Sequence, residues 1–191
     1  EVGALVDLAK AKKITLLEDA CQAWGAEWRG TPVGNHGIGG CFSFQASKNL
    51  TAGEGGAVIT NDEAFANQVF NYHTPGTPKP GASWGRAANF RLTEFQAALL
   101  LAQYTRFNAQ QDVRHANATH LSAMLEKIPG LAPSKLASGN NRSAWHLYMF
   151  RYDAARFAGL PRTKFLAALA KEGVQASSGY TSLNTTPHVR A

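Results

Sequence analysis

The sequence predicts an α/β fold that runs into a long helix and then opens a second, smaller α+β domain. Three observations predict it. A helical apolar pattern (Val2, Leu5, Val6, Ala9) is followed at once by a short apolar run, Ile14 to Leu17, closing on Glu18-Asp19. This is the pattern of a strand buried on both faces with acids at its carboxyl end. Cys41 to Phe44 and Ala57 to Thr60 are two further strand candidates, each introduced by a glycine pair, Gly39-Gly40 and Gly55-Gly56, so a three-strand sheet segment is expected. From Glu94 to about Lys127 there is neither proline nor glycine, which predicts one helix of roughly 50 Å at 1.5 Å per residue.

The elements follow in order. Lys10, Lys12 and Lys13 end the first helix, where they complement its dipole. Thr60 and Glu63 have capping-box spacing, predicting a helix from Asp62 through Phe70, followed by a breaker-rich loop from Thr74 to Gly81. Thr93 and Gln96 repeat the box at the start of the long helix, where Phe95, Leu99 and Ala102 share a face. Pro129-Gly130 ends it. Beyond, Trp145 to Tyr152 reads as a strand, Arg162 to Glu172 as a helix and Val174 to Ser177 as another strand. The expected division is residues 1–105 for the larger domain, 106–128 for the rest of the connecting helix and 129–191 for the second domain. The opening helix has no methionine or cap before it, so a preceding segment is expected.

Apolar residues make up 45% of the 191 positions and charged residues 17%, a globular composition that excludes disordered and collagen-like chains. No apolar run approaches the ~20 residues of a membrane helix, and no signal-peptide pattern opens the chain. A soluble cytoplasmic protein with no membrane partner is expected. Cys21 and Cys41 fit neither a disulfide framework nor zinc-ligand spacing, and read as buried reduced thiols with no metal site. The net charge of +6 raises a nucleic-acid reading, but the basic residues are scattered from Lys10 to Arg190 and form no binding stripe.

Four local patterns carry chemistry. Glu18-Asp19-Ala20-Cys21-Gln22 sets a carboxylate and, three residues on, a carboxamide at the carboxyl end of a strand, where α/β sheets bind ligands; alternatively, Asp19 caps the next turn. In Phe42-Ser43-Phe44-Gln45-Ala46-Ser47-Lys48 a strand hydroxyl is followed five residues later by a lysine, and Thr51 to Gly56 then forms a backbone-exposing turn. A lone lysine is ordinarily a solvated charge, whereas a desolvated one here suits a nucleophile. Asn89-Phe90-Arg91-Leu92-Thr93-Glu94 lies at a helix entry, which favours anions or is simply a capped helix. His146-Leu147-Tyr148 lies on the first predicted strand of the second domain and faces a cleft or a core.

Taken in order, EDACQAWGA, FSFQASKNLTAGEGGAV, NFRLTEFQAA and HLY resemble the DegT/StrS-type sugar aminotransferases. The resemblance runs over essentially the whole chain and is most specific around the lysine. It implies part of the large domain of fold type I, a mixed sheet flanked by helices, and pyridoxal 5'-phosphate as cofactor. Lys48 then matches the lysine that forms the Schiff base, Asp19 the acid on the pyridine nitrogen, Gln22 the amide at the ring hydroxyl, and Ser43 a phosphate-binding hydroxyl. Asn89 matches an asparagine that reaches the cofactor phosphate of the neighbouring subunit, which implies a homodimer. The implied reaction is ping-pong transfer of an amino group from an amino acid, glutamate or glutamine, to a keto sugar, nucleotide-linked, or a keto cyclitol. His146, Tyr148 and Tyr180 have no assigned role.

Cys21 and Trp24 depart from the alanine and histidine more usual in the family, which bears on packing or acceptor choice. Family members are longer, and the segment expected to hold much of the cofactor phosphate lies ahead of residue 1. Other readings stay open. Sugar dehydratases of the same superfamily carry histidine at the lysine position, so Lys48 favours transamination. A non-catalytic regulatory or DNA-binding descendant is disfavoured by Asp19, Gln22, Ser43 and Lys48 occurring together, and the fragment by itself is open to being inactive.

Overall fold

The computed structural model describes residues 1–75, 79 and 87–190. They fall into two compact units: Glu1–Leu121 with Lys135–Tyr148, and Ser122–Ser134 with the chain from Met149 onward. Residues 135–148 therefore cluster with the first unit rather than with the chain after 129.

In chain order the first unit contains α1 (Val2–Lys12), β1 (Leu17–Asp19), β2 (Glu27–Trp28), β3 (Thr31–Pro32), β4 (Gly39–Ser43), β5 (Gly56–Ile59), α2 (Glu63–His73) and most of α3 (Glu94–Leu125). β6 (Leu131–Pro133) belongs to the second unit, β7 (Asn140–Arg142) to the first, and β8 (Phe150–Tyr152), α4 (Arg162–Lys171) and the short α5 (Pro187–Arg190) to the second.

The main sheet has the order β1-β4-β5, with β1 and β4 parallel and β4 and β5 antiparallel. It is the mixed sheet expected. β1 begins three residues later than the sequence pattern suggests, and Ile14 and Leu17 are 64% and 49% exposed. Burial on both faces is not observed among the described residues: β1 is exposed at Leu17 and Asp19 and half-buried at Glu18. Gly40 is required where β4 passes its neighbour, since a Cβ there would sit 2.4 Å from the Gly34 Cα.

Among the elements not visible in the sequence, β2, β3 and β7 form a small antiparallel sheet in the order β3-β2-β7. Their lengths of two or three residues are too short for periodicity to register.

α2 is capped by Asp62, whose Oδ1 accepts from the Phe65 amide at 2.7 Å. The expected Thr60–Glu63 box is therefore replaced. The Thr60 hydroxyl instead donates to the Ile38 carbonyl and accepts from the Asp62 amide, a tertiary tie that local spacing does not reveal. Much of the predicted 74–81 loop lies outside the described residues.

At α3 the Thr93–Gln96 box forms as expected, with Thr93 N donating to Gln96 Oε1 at 3.2 Å and Gln96 N to Thr93 Oγ1 at 3.3 Å. The helix has 32 residues, about 48 Å by its rise. Its buried stripe is Phe107, Gln111 and Ala118, with Leu100 packed against the same core. Phe95 and Leu99 are 90% and 46% exposed. The helical period was legible, but contact with Phe44, Leu50 and Ala52 selected a face one residue around.

In the second unit β6 pairs antiparallel with β8. Tyr152 stacks on Phe165 with ring centroids 4.5 Å apart and donates its hydroxyl to the Leu160 carbonyl at 2.8 Å. The predicted strand from Trp145 to Tyr152 shrinks to β8, because Trp145 has φ of 47° and leaves the extended region. No strand forms over 174–177.

Candidate active site

Asp19, Gln22, Ser43 and Lys48 all lie at or just beyond the carboxyl ends of the parallel pair β1 and β4. There the strands run out and their last backbone groups and side chains turn outward, which is where open α/β sheets bind ligands. Asp19 is the last residue of β1, and the next residue, Ala20, is fully buried and donates its amide to the Cys41 carbonyl at 2.8 Å. A turn closed by the Ala23 amide on the Ala20 carbonyl then presents Cys21 and Gln22 beside Asp19.

The lysine is delivered by a tightly bonded turn. Ser43 ends β4, and its Oγ accepts from the Gln45 amide at 3.2 Å. The Gln45 side chain accepts from the Ser47 amide at 2.8 Å, and the Lys48 amide donates to the Gln45 carbonyl at 2.9 Å. The chain then returns to the strand end: the Ala52 amide and Thr51 hydroxyl both bond the Phe44 carbonyl, at 2.9 and 3.0 Å. Leu50 and Ala52 are buried in the core with Phe44 and Phe107. The Lys48 stem is thus rooted by core packing on one side and backbone bonds on the other.

The charges form one field. The Cys21 thiol and then the Cys21 amide, 3.1 Å from Oδ1, hold Asp19 below the usual carboxylate range, and the Lys48 ammonium lowers it further against the opposing effect of burial. Burial first, and then Asp19, push the Cys21 thiol up to about 11, so it stays protonated. Both cysteines are free and partly buried rather than fully so. Burial, followed by the Lys48 and Arg114 charges, depresses His146 below its ordinary 6.5. Lys48 therefore acts on Asp19, Cys21 and His146 at once.

His146 and Tyr148 sit in an irregular segment of the first unit, not on a strand of the second. Tyr148 stacks on Trp145 at 5.8 Å. Asn89 is exposed ahead of α3, and its Oδ1 accepts from Arg91 Nε at 2.9 Å. Tyr180 is 77% exposed in the second unit.

Sequence reasoning missed Gln111 and Asn49. Asn49 Nδ2 donates to Gln111 Oε1 at 3.2 Å and to the Ala144 carbonyl at 2.6 Å. No local signal marks Gln111: it falls four residues after Phe107 and seven before Ala118 on the buried stripe, a face other than the one expected from Phe95, Leu99 and Ala102.

The mixed α/β fold is that of solved aminotransferase structures. DesV of S. venezuelae, determined in complex with a ketimine intermediate, aligns with 100% of this chain and 50% of its own, at TM-score 0.87 and 27% identity. The chain belongs to the DegT/DnrJ/EryC1/StrS aminotransferase family, whose sequence profile matches residues 1–191. Among curated relatives it is 36% identical to the L-glutamine:2-deoxy-scyllo-inosose aminotransferase of Streptomyces fradiae, over 90% of this chain and 43% of that protein. It is also 36% identical to the enzyme of the same name from Streptoalloteichus tenebrarius, over 97% and 46%. The chain thus spans a little under half the length of these relatives. Among the described residues no helix is long and apolar enough to cross a membrane.

Proposed function

We propose that this chain carries the lysine-bearing part of a pyridoxal-5'-phosphate-dependent aminotransferase that moves an amino group from an amino acid to a keto cyclitol or keto sugar. The observation that carries the reading is the placement of Asp19 at the end of β1 and of Lys48 in the turn that follows its parallel neighbour β4, with the ammonium helping to lower the Asp19 carboxyl. The donor set fits the cofactor's chemistry: a carboxylate for a ring nitrogen, an amine for an aldehyde, a carboxamide for a ring hydroxyl and the Ser43 hydroxyl for phosphate. When bound, the cofactor supplies an electron sink for the electrons left as a proton leaves the substrate carbon.

The chain's own residues do the rest. Asp19, held anionic by Cys21 and Lys48, keeps its partner nitrogen protonated. Lys48 serves as nucleophile and then as the base that carries a proton to and from the substrate carbon. Asn89 is assigned to the phosphate of a neighbouring subunit in a homodimer, and the two compact units to the large domain and the start of the small one. The two free thiols accord with a reducing cytoplasm. The names of the Streptomyces fradiae and Streptoalloteichus relatives favour L-glutamine as donor and a keto cyclitol as acceptor.

Full-length protein loaded with the cofactor is expected to show a yellow absorbance band that Lys48→Ala abolishes, and L-glutamine alone should bleach the wild-type band in a ping-pong half-reaction. An unaltered band in Lys48→Ala overturns the assignment.

A further inference from the structure

Gln111 is the most deeply buried polar side chain described, at 2% exposure. Its Nε2 donates to the Trp24 carbonyl at 2.9 Å and to the Ala144 carbonyl at 3.2 Å, while its Oε1 accepts from Asn49 Nδ2 at 3.2 Å and Arg114 Nη1 at 3.3 Å. The two carbonyls only accept and the two nitrogen groups only donate, so a carboxamide in this one orientation satisfies all four. Each partner belongs to a different part of the site. Trp24 follows the Asp19 strand, Asn49 adjoins Lys48, Ala144 precedes His146 by two residues, and Arg114 is one of the charges acting on His146.

We infer that Gln111 is a positioning residue, acting through Asn49 and Ala144 to hold the Lys48 turn and the His146 segment in fixed register. The geometry stands by itself; the purpose rests on the amino-transfer reading. Two features deepen it. Asn49 Nδ2 bonds the Ala144 carbonyl directly at 2.6 Å, closing a triangle of Gln111, Asn49 and Ala144. Trp145, the residue between Ala144 and His146, is held at φ of 47°, a conformation uncommon for a bulky residue that persists only where its surroundings over-determine it. Its indole donates to His115 Nδ1 at 3.3 Å and stacks on Tyr148. The direction in which His146 leaves the backbone is therefore set by a bonded carbonyl before it and a pinned ring beside it. A buried amide that satisfies several groups at once gives a network stiffer than its separate bonds.

The test is a histidine NMR titration of full-length holoenzyme, with the His146 signal assigned by His146→Gln, alongside the rate of the L-glutamine half-reaction. Gln111→Met keeps the volume and removes every bond of the carboxamide; Asn49→Ala removes the Asn49 bonds to Gln111 and to the Ala144 carbonyl while leaving those of Gln111 to Trp24 and Ala144, and decides the matter if Gln111→Met does not fold. Both are expected to move the His146 midpoint toward 6.5 and to lower kcat by up to roughly 100-fold with little change in KM, the scale of a misplaced reacting group. Asp112→Asn, on the same helix as Gln111, removes the charge from the surface pair with Arg142 of β7 and should leave both readouts unchanged. An unchanged midpoint and kcat in folded Gln111→Met, or in Asn49→Ala if only that folds, overturns the inference. The amino-transfer reading is judged separately by the Lys48→Ala band.

Discussion

The indole nitrogen of Trp24 donates to the Ser43 carbonyl at 2.9 Å, tying the segment after Asp19 to the end of the strand that leads to Lys48. The same ring lies 4.3 Å from Phe42, stacks on Phe44 at 5.3 Å and meets Phe107 edge-on at 6.5 Å. Trp24→Ala removes packing and hydrogen bond together and is expected to cost about 3–5 kcal/mol, the range for large aromatic truncations in cores. Trp24→Phe retains an aromatic ring but leaves the Ser43 carbonyl without this donor, at about 1–3 kcal/mol. Chemical denaturation of the three proteins checks the ordering.

Asp19→Asn separates electron withdrawal from covalent capture. An amide keeps the shape of Asp19 but not its charge, so the partner nitrogen loses its reason to stay protonated. The yellow band should persist, because Lys48 is untouched, while the L-glutamine half-reaction slows by at least ~100-fold, the low end for a lost acid–base contribution. Single-turnover absorbance measures both. A half-reaction at the wild-type rate would show that Asp19 does not face the cofactor nitrogen.

His146 makes stability depend on pH in a defined direction. Its folded value is depressed below the ordinary 6.5, so between those two values the unfolded chain binds more protons than the folded one. Stability therefore falls as pH drops from 6.5 through the folded value, and the His146 contribution levels off below it. Asp19, also depressed, adds a loss of the same sign at pH below its ordinary 3.8. Urea midpoints measured across this range should decline less steeply in His146→Gln than in wild type.

Capping of α2 distinguishes neighbouring residues. Asp62→Ala removes the acceptor for the Phe65 amide and is expected to cost about 1 kcal/mol. Asp62→Asn retains an acceptor and should recover most of it. Glu63→Ala, which alters the expected box partner and no observed cap bond, should have a smaller effect; thermal melts of the three variants rank them.

The parts legible in the sequence were those whose cause is local. α1, α3 and α4 are written in apolar period, in a capping box and in the absence of breakers over 94–125. Asp19 and Lys48 stood out as candidates at a strand end and in the turn after one, and the resemblance to the family then gave them their expected roles. The 145–152 stretch was misread because β propensity describes Trp, Tyr and Phe in general, whereas φ of 47° at Trp145 goes with tertiary bonds from Gln111 and Asn49 to the preceding Ala144 carbonyl and from the Trp145 indole to His115.

Gln111 marks the boundary between the two kinds of information. Flanked by Gln110 and Asp112, it reads as a solvated helix position, and three of its four partners lie 87, 62 and 33 residues away in the chain. Residue patterns alone placed Asp19, Ser43 and Lys48 at or just beyond strand ends on an α/β scaffold, because hydrophobic period and turn composition act between near neighbours, while their roles came from the family resemblance. Only folding decided which amide is buried, which face of α3 is covered and how Lys48 and His146 come to share one electrostatic field. Those outcomes depend on segments meeting in space, where burial strengthens charges and obliges every polar group to find a partner.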